Sequence, residues 1–360
     1  MKNVSICLSL MLLSFGLLAQ DSLISNKLDI KISGFLDIFY AYDFNKPKGD
    51  IRQHFIYNHN RHNEFNVNLA FIKAAITNDH YRANLALQSG TYVNDNYAAE
   101  KGVIKNILEA NVGIALNKNK NIWLDVGIFP SHIGFESAIS ADNWTLTRSL
   151  LAENSPYFLS GAKVSYDVSQ KWTILALVCN GWQRIQRVDG NSLLSFGTQV
   201  VFKPSDKTAL NWSTFLGTDD ANVQRRMRYF NNLYLQSWFS DKIGIIAGFD
   251  FGFQQERVKS FNYLAWWSPV GIIRYKINDQ WNTALRGEYY HDPSSIIIST
   301  SSPNGFKTSG ISHNVDYHPY SNLVCRIEFR FIKSKDKIFV QSLAPNDDNL
   351  VVVSSVALKF

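Results

Sequence analysis

The amino-acid sequence predicts an all-β fold, a transmembrane antiparallel β-barrel that follows a signal peptide. Three observations predict it. A short apolar run lies near the N-terminus, no later apolar stretch is long enough for a transmembrane helix, and apolar and polar residues alternate in segments from Asp29 to Phe360. A chain that enters a membrane without apolar helices must close a sheet into a barrel to satisfy its backbone polar groups.

Residues 1–20 have the pattern of a secretory signal peptide. A lysine precedes an apolar run that ends at Leu18, and Ala19 places a small residue before a polar start. Such a run is too short to anchor the chain in a membrane. We expect cleavage after Ala19 or Gln20, which leaves a single barrel domain at 21–360.

The composition fits an exported β protein. Aromatic residues make up 14% of the 360 residues and hydrophobic residues 46%, a mixture typical of long strands with aromatic belts. A secreted β-sandwich would have a similar composition. The net charge of +6 comes without basic runs, so we expect no nucleic-acid partner. Cys179 and Cys325, far apart in sequence, do not form a disulfide framework.

Strand length and inward charges favour the barrel over the sandwich. Alternation is clearest in 80–90, 161–168, 281–290 and 323–331. These segments approach the roughly 9–11 residues of a transmembrane strand, whereas soluble strands average about 5–6. The last of them places three charged side chains on one face, which suits a water-filled lumen and would be costly in a packed core.

Short turns and longer connections alternate along the chain, as in outer-membrane barrels with short periplasmic turns and long external loops. Seven short and eight long connections give about sixteen strands, and fourteen or eighteen are also compatible. We interpret 292–319 as a long loop and Ser334–Lys337 as a short turn. The weakest predicted strands are Arg228–Phe239 and Lys337–Ser342. We expect a bulge or loop boundary at Ser268-Pro269, because proline removes a ladder donor.

The C-terminal segment Asn349–Phe360 alternates and ends in an aromatic residue. This resembles the signal that the barrel assembly machinery reads in outer-membrane proteins, so we expect that machinery as a partner through Phe360. A soluble protein whose last strand ends in phenylalanine is the alternative.

A sequence motif runs from the end of one predicted strand into the next. Over about forty residues it resembles the OmpL-like β-barrel porin family of gram-negative outer membranes. Its matching positions are Gly127, Phe129, Ile133, Gly134, Glu136, Asn143, Arg148, Ser149, Pro156 and Gly161. The resemblance implies an outer-membrane channel in contact with outer-membrane lipid that passes small polar solutes or ions, and it supplies no particular substrate. General porins are often trimers, so a homo-trimer is compatible with it.

The third long connection, Ser131–Phe158, is rich in apolar residues and would not extend into water. We expect it to fold into the lumen as a constriction, with Glu136 and Asp142 facing basic wall residues, so that separated charges select solutes. A loop packed over the barrel mouth with solvated charges is the alternative. The predicted constriction residues are His132, Glu136, Asp142, Arg148 and Glu153. The predicted lumen wall comprises Lys163, Arg286, Glu288, Arg326, Glu328 and Arg330.

We predict no enzymatic activity, cofactor or metal site. His318 and Ser321 are the nearest match to a barrel lipase pair, but their spacing of three places them on opposite faces of a strand. His54, His59 and His62 could hold a metal but fit no strong motif. The tryptophans near strand ends suit membrane girdles more than sugar stacking. The rival functions are a structural or adhesive barrel with a plugged lumen and a barrel enzyme.

Overall fold

A computed structural model describes residues 28–341 and 344–360, and these form a closed barrel of sixteen antiparallel strands in which every strand pairs with its sequence neighbours. The predicted signal peptide lies outside the described residues. The strands are β1 Asp29–Asp43, β2 Phe65–Thr77, β3 Tyr81–Ser89, β4 Ile107–Ala115, β5 Ile122–Pro130, β6 Phe158–Asp167, β7 Trp172–Cys179, β8 Ser195–Ser205, β9 Thr208–Gly217, β10 Arg228–Trp238, β11 Ile243–Gln255, β12 Tyr263–Lys276, β13 Trp281–Asp292, β14 Phe306–Tyr320, β15 Leu323–Ser334 and β16 Asp348–Lys359. Helix α1 spans Thr91–Asn96 and helix α2 spans Leu150–Glu153, with 3-10 turns at Gly102–Asn106 and Ser140–Asp142.

The barrel closes where β1 pairs with β16. The register runs from Phe35 opposite Lys359 to Asp43 opposite Val351. Past the end of β16, the backbone of Phe360 exchanges hydrogen bonds of 2.8 and 3.1 Å with that of Gly34. Closure leaves no unpaired sheet edge, which is the condition for a sheet to lie in lipid.

The outer face of the barrel is apolar in its middle and carries aromatic side chains toward both ends, as the girdle interpretation predicts. Near the short turns these exposed aromatics are Tyr81, Tyr166, Trp172, Tyr275 and Trp281. Near the long loops they are Phe65, Tyr229, Phe253 and Tyr263. Trp182 and Trp266 instead lie inside. No helix among the described residues is long and apolar enough to cross a membrane.

The predicted strand count is confirmed, although two elements near the C-terminus were predicted wrongly. The expected loop 292–319 contains β14, whose lipid-facing positions include Lys307, Ser309 and His313, so its alternation is weak. The expected strand Lys337–Ser342 forms no strand among its described residues. Its apolar Phe339 packs against Phe55 in the loops, with ring centroids 6.0 Å apart. The predicted short turn Ser334–Lys337 is therefore the beginning of the long connection from β15 to β16.

The expected break at Ser268-Pro269 does not occur. Strand β12 keeps one register through this point, although Ser268 and Pro269 themselves do not pair with β13. Proline cannot donate to the carbonyl of Tyr289, and the Ser268 hydroxyl donates to that carbonyl at 2.7 Å instead. The side chain thus replaces the missing ladder bond.

Two glycines of the family motif allow adjacent strands to approach closely. Gly127 of β5 lies opposite Gly161 of β6. A Cβ at Gly161 would lie 2.0 Å from the Val178 carbonyl oxygen, and one at Gly127, where φ is +131°, would lie 2.1 Å from the Ala110 carbonyl oxygen. Glycine is therefore required here for steric reasons.

We predict that Gly161→Ala destabilises the barrel by about 1–3 kcal/mol, the usual cost of overpacking. Backbone atoms of β7 would have to move to accommodate the methyl group. Urea unfolding of the folded protein in detergent measures the effect. The matched control is Gly271→Ala, because a Cβ at Gly271 meets nothing within 4 Å. Equal stability of the two variants would contradict the prediction.

Candidate functional site: the lumen and its third loop

The third loop, residues 131–157, folds into the lumen and packs along its wall. Trp144 contacts Trp238 of β10 with ring centroids 5.1 Å apart and shares an apolar cluster with Ile246 and Val270. Leu146, fully buried, packs on Val351 and Val353 of β16. Apolar burial holds the loop inside the barrel rather than over its mouth.

Arg286 of β13 is the main anchor of this loop. Its guanidinium donates to Thr145 Oγ1 at 3.0 Å, to the Thr147 carbonyl at 2.6 Å and to Thr147 Oγ1 at 2.9 Å. It also donates to Glu328 Oε1 at 2.8 Å. One side chain therefore fixes two loop residues and pairs with a carboxylate of β15.

Two wall carboxylates accept from backbone amides of the loop. Glu328 Oε2 accepts from the Thr147 amide and Glu288 Oε2 from the Leu150 amide, both at 2.6 Å. Glu288 also pairs with Arg330 at 2.7 Å. Charged hydrogen bonds of this kind are stronger than neutral ones, and they satisfy carboxylates that would be costly to bury alone.

Arg326 of β15 holds the middle of the loop. It donates to the Ser140 carbonyl at 2.6 Å and the Asn143 carbonyl at 3.1 Å, and it pairs with Asp316 at 2.7 Å. Asp142, expected to face basic wall residues, pairs with Lys359 of β16, which was not among the predicted wall residues. The inner faces of β13 to β16 thus bind the loop along its length.

Glu136 and Arg148 make their contacts mainly within the loop. Glu136 Oε2 accepts from the Ser149 amide at 3.1 Å and from the Ser149 hydroxyl, and Glu136 lies 4.0 Å from Arg286. Burial raises the pKa of Glu136. Arg148 donates to the carbonyls of Leu146, at 3.0 Å, and Ala138.

The geometry differs from the expected separation of charges across an open passage. The predicted wall and loop charges from β13 to β15 touch one another, and Arg286, Glu328 and Arg330 are at most 1% exposed. They form a buried network in which the carboxylates and most guanidinium groups are paired, because a loop seated on the wall removes water from both surfaces. The network fixes the loop and does not line a water-filled path.

Four predicted residues lie outside this buried network, and one of them is Asp142, whose ion pair with Lys359 is partly exposed. His132 Nε2 lies 2.8 Å from the Thr214 carbonyl, and burial lowers the His132 pKa to about 4. Glu153, at the end of α2, accepts from the amides of Tyr57 and Asn58 in the first loop. Lys163 Nζ lies 4.5 Å from the centroid of the Phe129 ring, on the opposite wall.

The remaining motif residues shape the loop. Asn143 exchanges two 2.8 Å hydrogen bonds with the backbone of Ser137, and Ser149 caps α2 by accepting from the Ala152 amide. Ile133 and Pro156 are buried at the two ends of the loop. Gly134, at φ +86°, adopts a backbone conformation that favours glycine.

Sequence reasoning missed that the first loop, residues 44–64, also enters the barrel. His59 Nε2 lies 2.9 Å from Asp37 Oδ2 of β1, and both side chains are fully buried. His54 contacts the Ser299 carbonyl, and His62 accepts from the Asp43 amide. The three histidines therefore have separate partners, and no described group of His, Cys, Asp or Glu is arranged to hold a metal ion.

The inner faces of β2 to β6 carry charged side chains that remain partly exposed. Lys73 pairs with Glu109 at 2.8 Å, and Arg82 pairs with Asp125 at 2.6 Å. The Lys73 and Arg82 side chains keep 25% and 33% exposure, unlike the buried arginines of β13 to β15. Lys163 forms no ion pair with a described carboxylate. This wall is where the lumen remains polar and accessible.

A sixteen-stranded antiparallel barrel with long loops, apolar outside and charged within, is the architecture of a porin-type channel. The chain belongs to the family described as "Putative beta-barrel porin-2, OmpL-like", which matches residues 29–360. It is an outer-membrane porin of the gram-negative type, in contact with outer-membrane lipid.

Solved structures show the same fold at low sequence identity. The anion-selective porin from Comamonas acidovorans has a TM-score of 0.64 and 11% identity, covering 93% of this chain and 100% of that one. The outer-membrane channel DcaP of Acinetobacter baumannii has a TM-score of 0.60 and 9% identity, covering 92% and 97%. OprB of Pseudomonas putida has a TM-score of 0.57 and 9% identity, covering 92% and 94%. A comparison with curated protein sequences finds no match.

We predict that Arg286→Gln releases the third loop from the wall. Removing one member of a buried charge network typically costs about 3–5 kcal/mol, because its carboxylate partners stay buried. The unfolding midpoint in urea should fall. Arg274→Gln is the matched control: Arg274 of β12 pairs with Asp316 of β14, two strands away, and makes no hydrogen bond to the third loop among the described residues. If both variants unfold alike, Arg286 is not the anchor.

We predict a pH dependence that originates from Glu153. Burial raises its pKa to about 7, against the opposing effect of Arg148, Arg330 and the hydrogen bonds from Tyr57 and Asn58. Between the ordinary value of about 4.3 and this raised value, the folded state holds a proton that the unfolded state has lost. Stability should therefore fall as pH rises through this window, by up to about 1.4 kcal/mol per pH unit.

Urea unfolding across this pH range tests the effect. Glu153→Gln should reduce the pH slope, whereas Glu256→Gln, which changes an exposed carboxylate on another external loop, should retain it. An unchanged slope in Glu153→Gln would show that other groups cause the dependence.

Proposed function

We propose that this porin passes small polar solutes and ions by passive diffusion along the inner face of β2 to β6, with the third loop as its constriction. The observation that carries the proposal is that the third loop covers one side of the lumen wall and leaves the other side partly exposed. The third loop is anchored by hydrogen bonds from β13 and β15, whereas charged side chains on β2 to β6 keep partial access to water. A polar wall facing a fixed loop filters solutes by size and charge.

The charges along this path favour a weak preference for anions. In the middle of this wall, Lys73, Arg82 and Lys163 outnumber Glu109 and Asp125 by one positive charge, and Asp167 lies apart from them at the end of β6 next to the short turn. The excess falls on Lys163, whose ammonium group contacts an aromatic ring rather than a carboxylate. The similar structure from Comamonas acidovorans is that of an anion-selective porin, which agrees with this direction.

The proposal involves transport without catalysis. His318 lies in β14 and Ser321 in the short turn that follows it, and the fold and family are those of a channel. We further propose a homo-trimer, since one similar structure, OmpT of Vibrio cholerae, is described in a trimer form. Phe360, exposed at 63% and placed at the closing seam, is suitably located for recognition by the barrel assembly machinery.

One observation favours the rival, a structural barrel with a plugged lumen. Tyr92 and Tyr97 at α1 are fully buried in the external half, and Tyr97 stacks on Phe158 with ring centroids 3.9 Å apart. Phe55 of the first loop is buried as well. Three loops therefore occupy the external half of the lumen.

Planar-bilayer recording of the purified, folded protein separates the two functions. We expect discrete conductance steps and a reversal potential that indicates anion preference. Lys163→Gln should shift that potential toward cations, by a few millivolts in a salt gradient, because it removes the unpaired charge. Lys207→Gln, in a short turn and paired with Asp241, should leave it unchanged. Silence would favour the plugged barrel, and an equal shift in both variants would contradict the role of Lys163.

A further inference from the structure

A polar cavity opens at the external mouth of the barrel, above the third loop. Its volume is about 340 Å³, within the range of about 300–1,000 Å³ typical of small-molecule sites. The first loop, the end of α1, the end of α2 and the loops after β7, β9 and β13 contribute to it. The side chains used below are Tyr57, Asn96, Glu153, Trp182, Arg184 and Arg228.

Two buried side chains that line this cavity have polar atoms without hydrogen-bond partners among the described residues. Glu153 is 2% exposed, and its Oε2 accepts three hydrogen bonds from Tyr57 and Asn58, while its Oε1 accepts none. Asn96 is 7% exposed, and both its Oδ1 and its Nδ2 lack partners. Unsatisfied buried groups are costly, so a ligand that bonds to them would relieve the cost.

The positive charges of the cavity are held apart from Glu153. The Arg228 guanidinium lies over Trp182 at 5.1 Å and is fixed by Gln254 at 2.7 Å. Arg184 interacts electrostatically with Asp219 and donates no hydrogen bond to a described residue.

Glu153, in turn, has no cationic group within 4 Å among the described residues. The strongest charge interactions of Arg228 are with Asp219 and Asp220, whereas Glu153 interacts mainly with Arg148 and Arg330 below the cavity. The Glu153 carboxylate and the guanidinium groups are therefore not paired with each other, and Asp219, which also lines the cavity, balances part of the positive charge of the two arginines.

We propose that this mouth cavity binds a small zwitterionic solute, of the class of amino acids and dipeptides. The ammonium group would donate to Glu153 Oε1 and Asn96 Oδ1, and the carboxylate would accept from Arg184 and Arg228. A neutral polyol would offer no charged group to Glu153 Oε1 or to the arginines, and a simple anion or cation would offer one to only one of these ends. The proposal deepens the proposed function, because it names a solute class, but the binding itself does not require passage.

Isothermal titration calorimetry of the folded full chain in detergent tests binding independently of conductance. The probes are glycylglycine, glycinamide, N-acetylglycine and glucose. We expect glycylglycine to bind at least about tenfold more tightly than each of the other three, since each lacks at least one charged hydrogen bond. Equal affinity for glucose, or no glycylglycine binding, would overturn the proposal even if the channel conducts.

Paired variants assign the two ends of the ligand. Glu153→Gln should weaken glycylglycine binding about tenfold and leave N-acetylglycine binding unchanged. Arg184→Gln should weaken N-acetylglycine binding about tenfold and leave glycinamide binding unchanged. Glu256→Gln is the control and should bind glycylglycine like the wild type.

If Glu153→Gln does not fold, Asn96→Ala and Arg184→Gln decide the question. Normal glycylglycine affinity in both would refute the site. Binding by a protein that gives no conductance steps would keep the site and reject the diffusion function.

Discussion

The closure of one antiparallel sheet on itself is the constraint on which the whole structure depends. Lipid offers no hydrogen-bond partners, so each strand must be paired on both edges, and the seam between β1 and β16 completes this pairing. Closure also fixes the period of two along every strand, which turns apolar side chains to lipid and polar ones inward. The composition and the turn pattern of the chain follow from this requirement.

Sixteen strands enclose a space that wall side chains alone cannot fill. The long loops at the external end fill this space by folding inward. Different interactions hold the individual loops in place. The third loop is fixed by apolar packing and by carbonyls offered to arginines, whereas the first loop is fixed by buried polar pairs such as His59 with Asp37. A loop that is hydrogen-bonded along its length cannot move freely, so the lumen has a defined inner contour.

The charges of the interior divide into two kinds. The arginines and glutamates of β13 to β15 are buried and satisfied by the third loop, so their contribution is to hold it in place. The pairs on β2 to β6, together with Lys163 and the mouth cavity around Glu153, retain access to water or unsatisfied atoms. Charges of this second kind remain available to a passing solute. The same residue types therefore serve different purposes according to what covers them.

The sequence by itself determined the barrel, because strand alternation and turn chemistry are local properties. It placed Arg326, Glu328 and Arg330 on the inner face for that reason. It failed at β14, where lipid-facing Lys307, Ser309 and His313 weaken the alternation, and at Phe339, whose apolar neighbours suggested a strand. Val351 and Val353 are apolar although they lie on the inner face, where the alternation predicts polar residues, because Leu146 of the third loop packs on them.

Only the tertiary structure decided which charges meet. Arg286 and Thr147 are separated by 139 positions, and Glu153 and Tyr57 by 96, and no local pattern records such pairings. The path of a loop through the lumen depends on the packing of its apolar residues against several distant strands at once. Strand alternation therefore fixes the wall from sequence, whereas what lies against the wall is settled when the loops fold in.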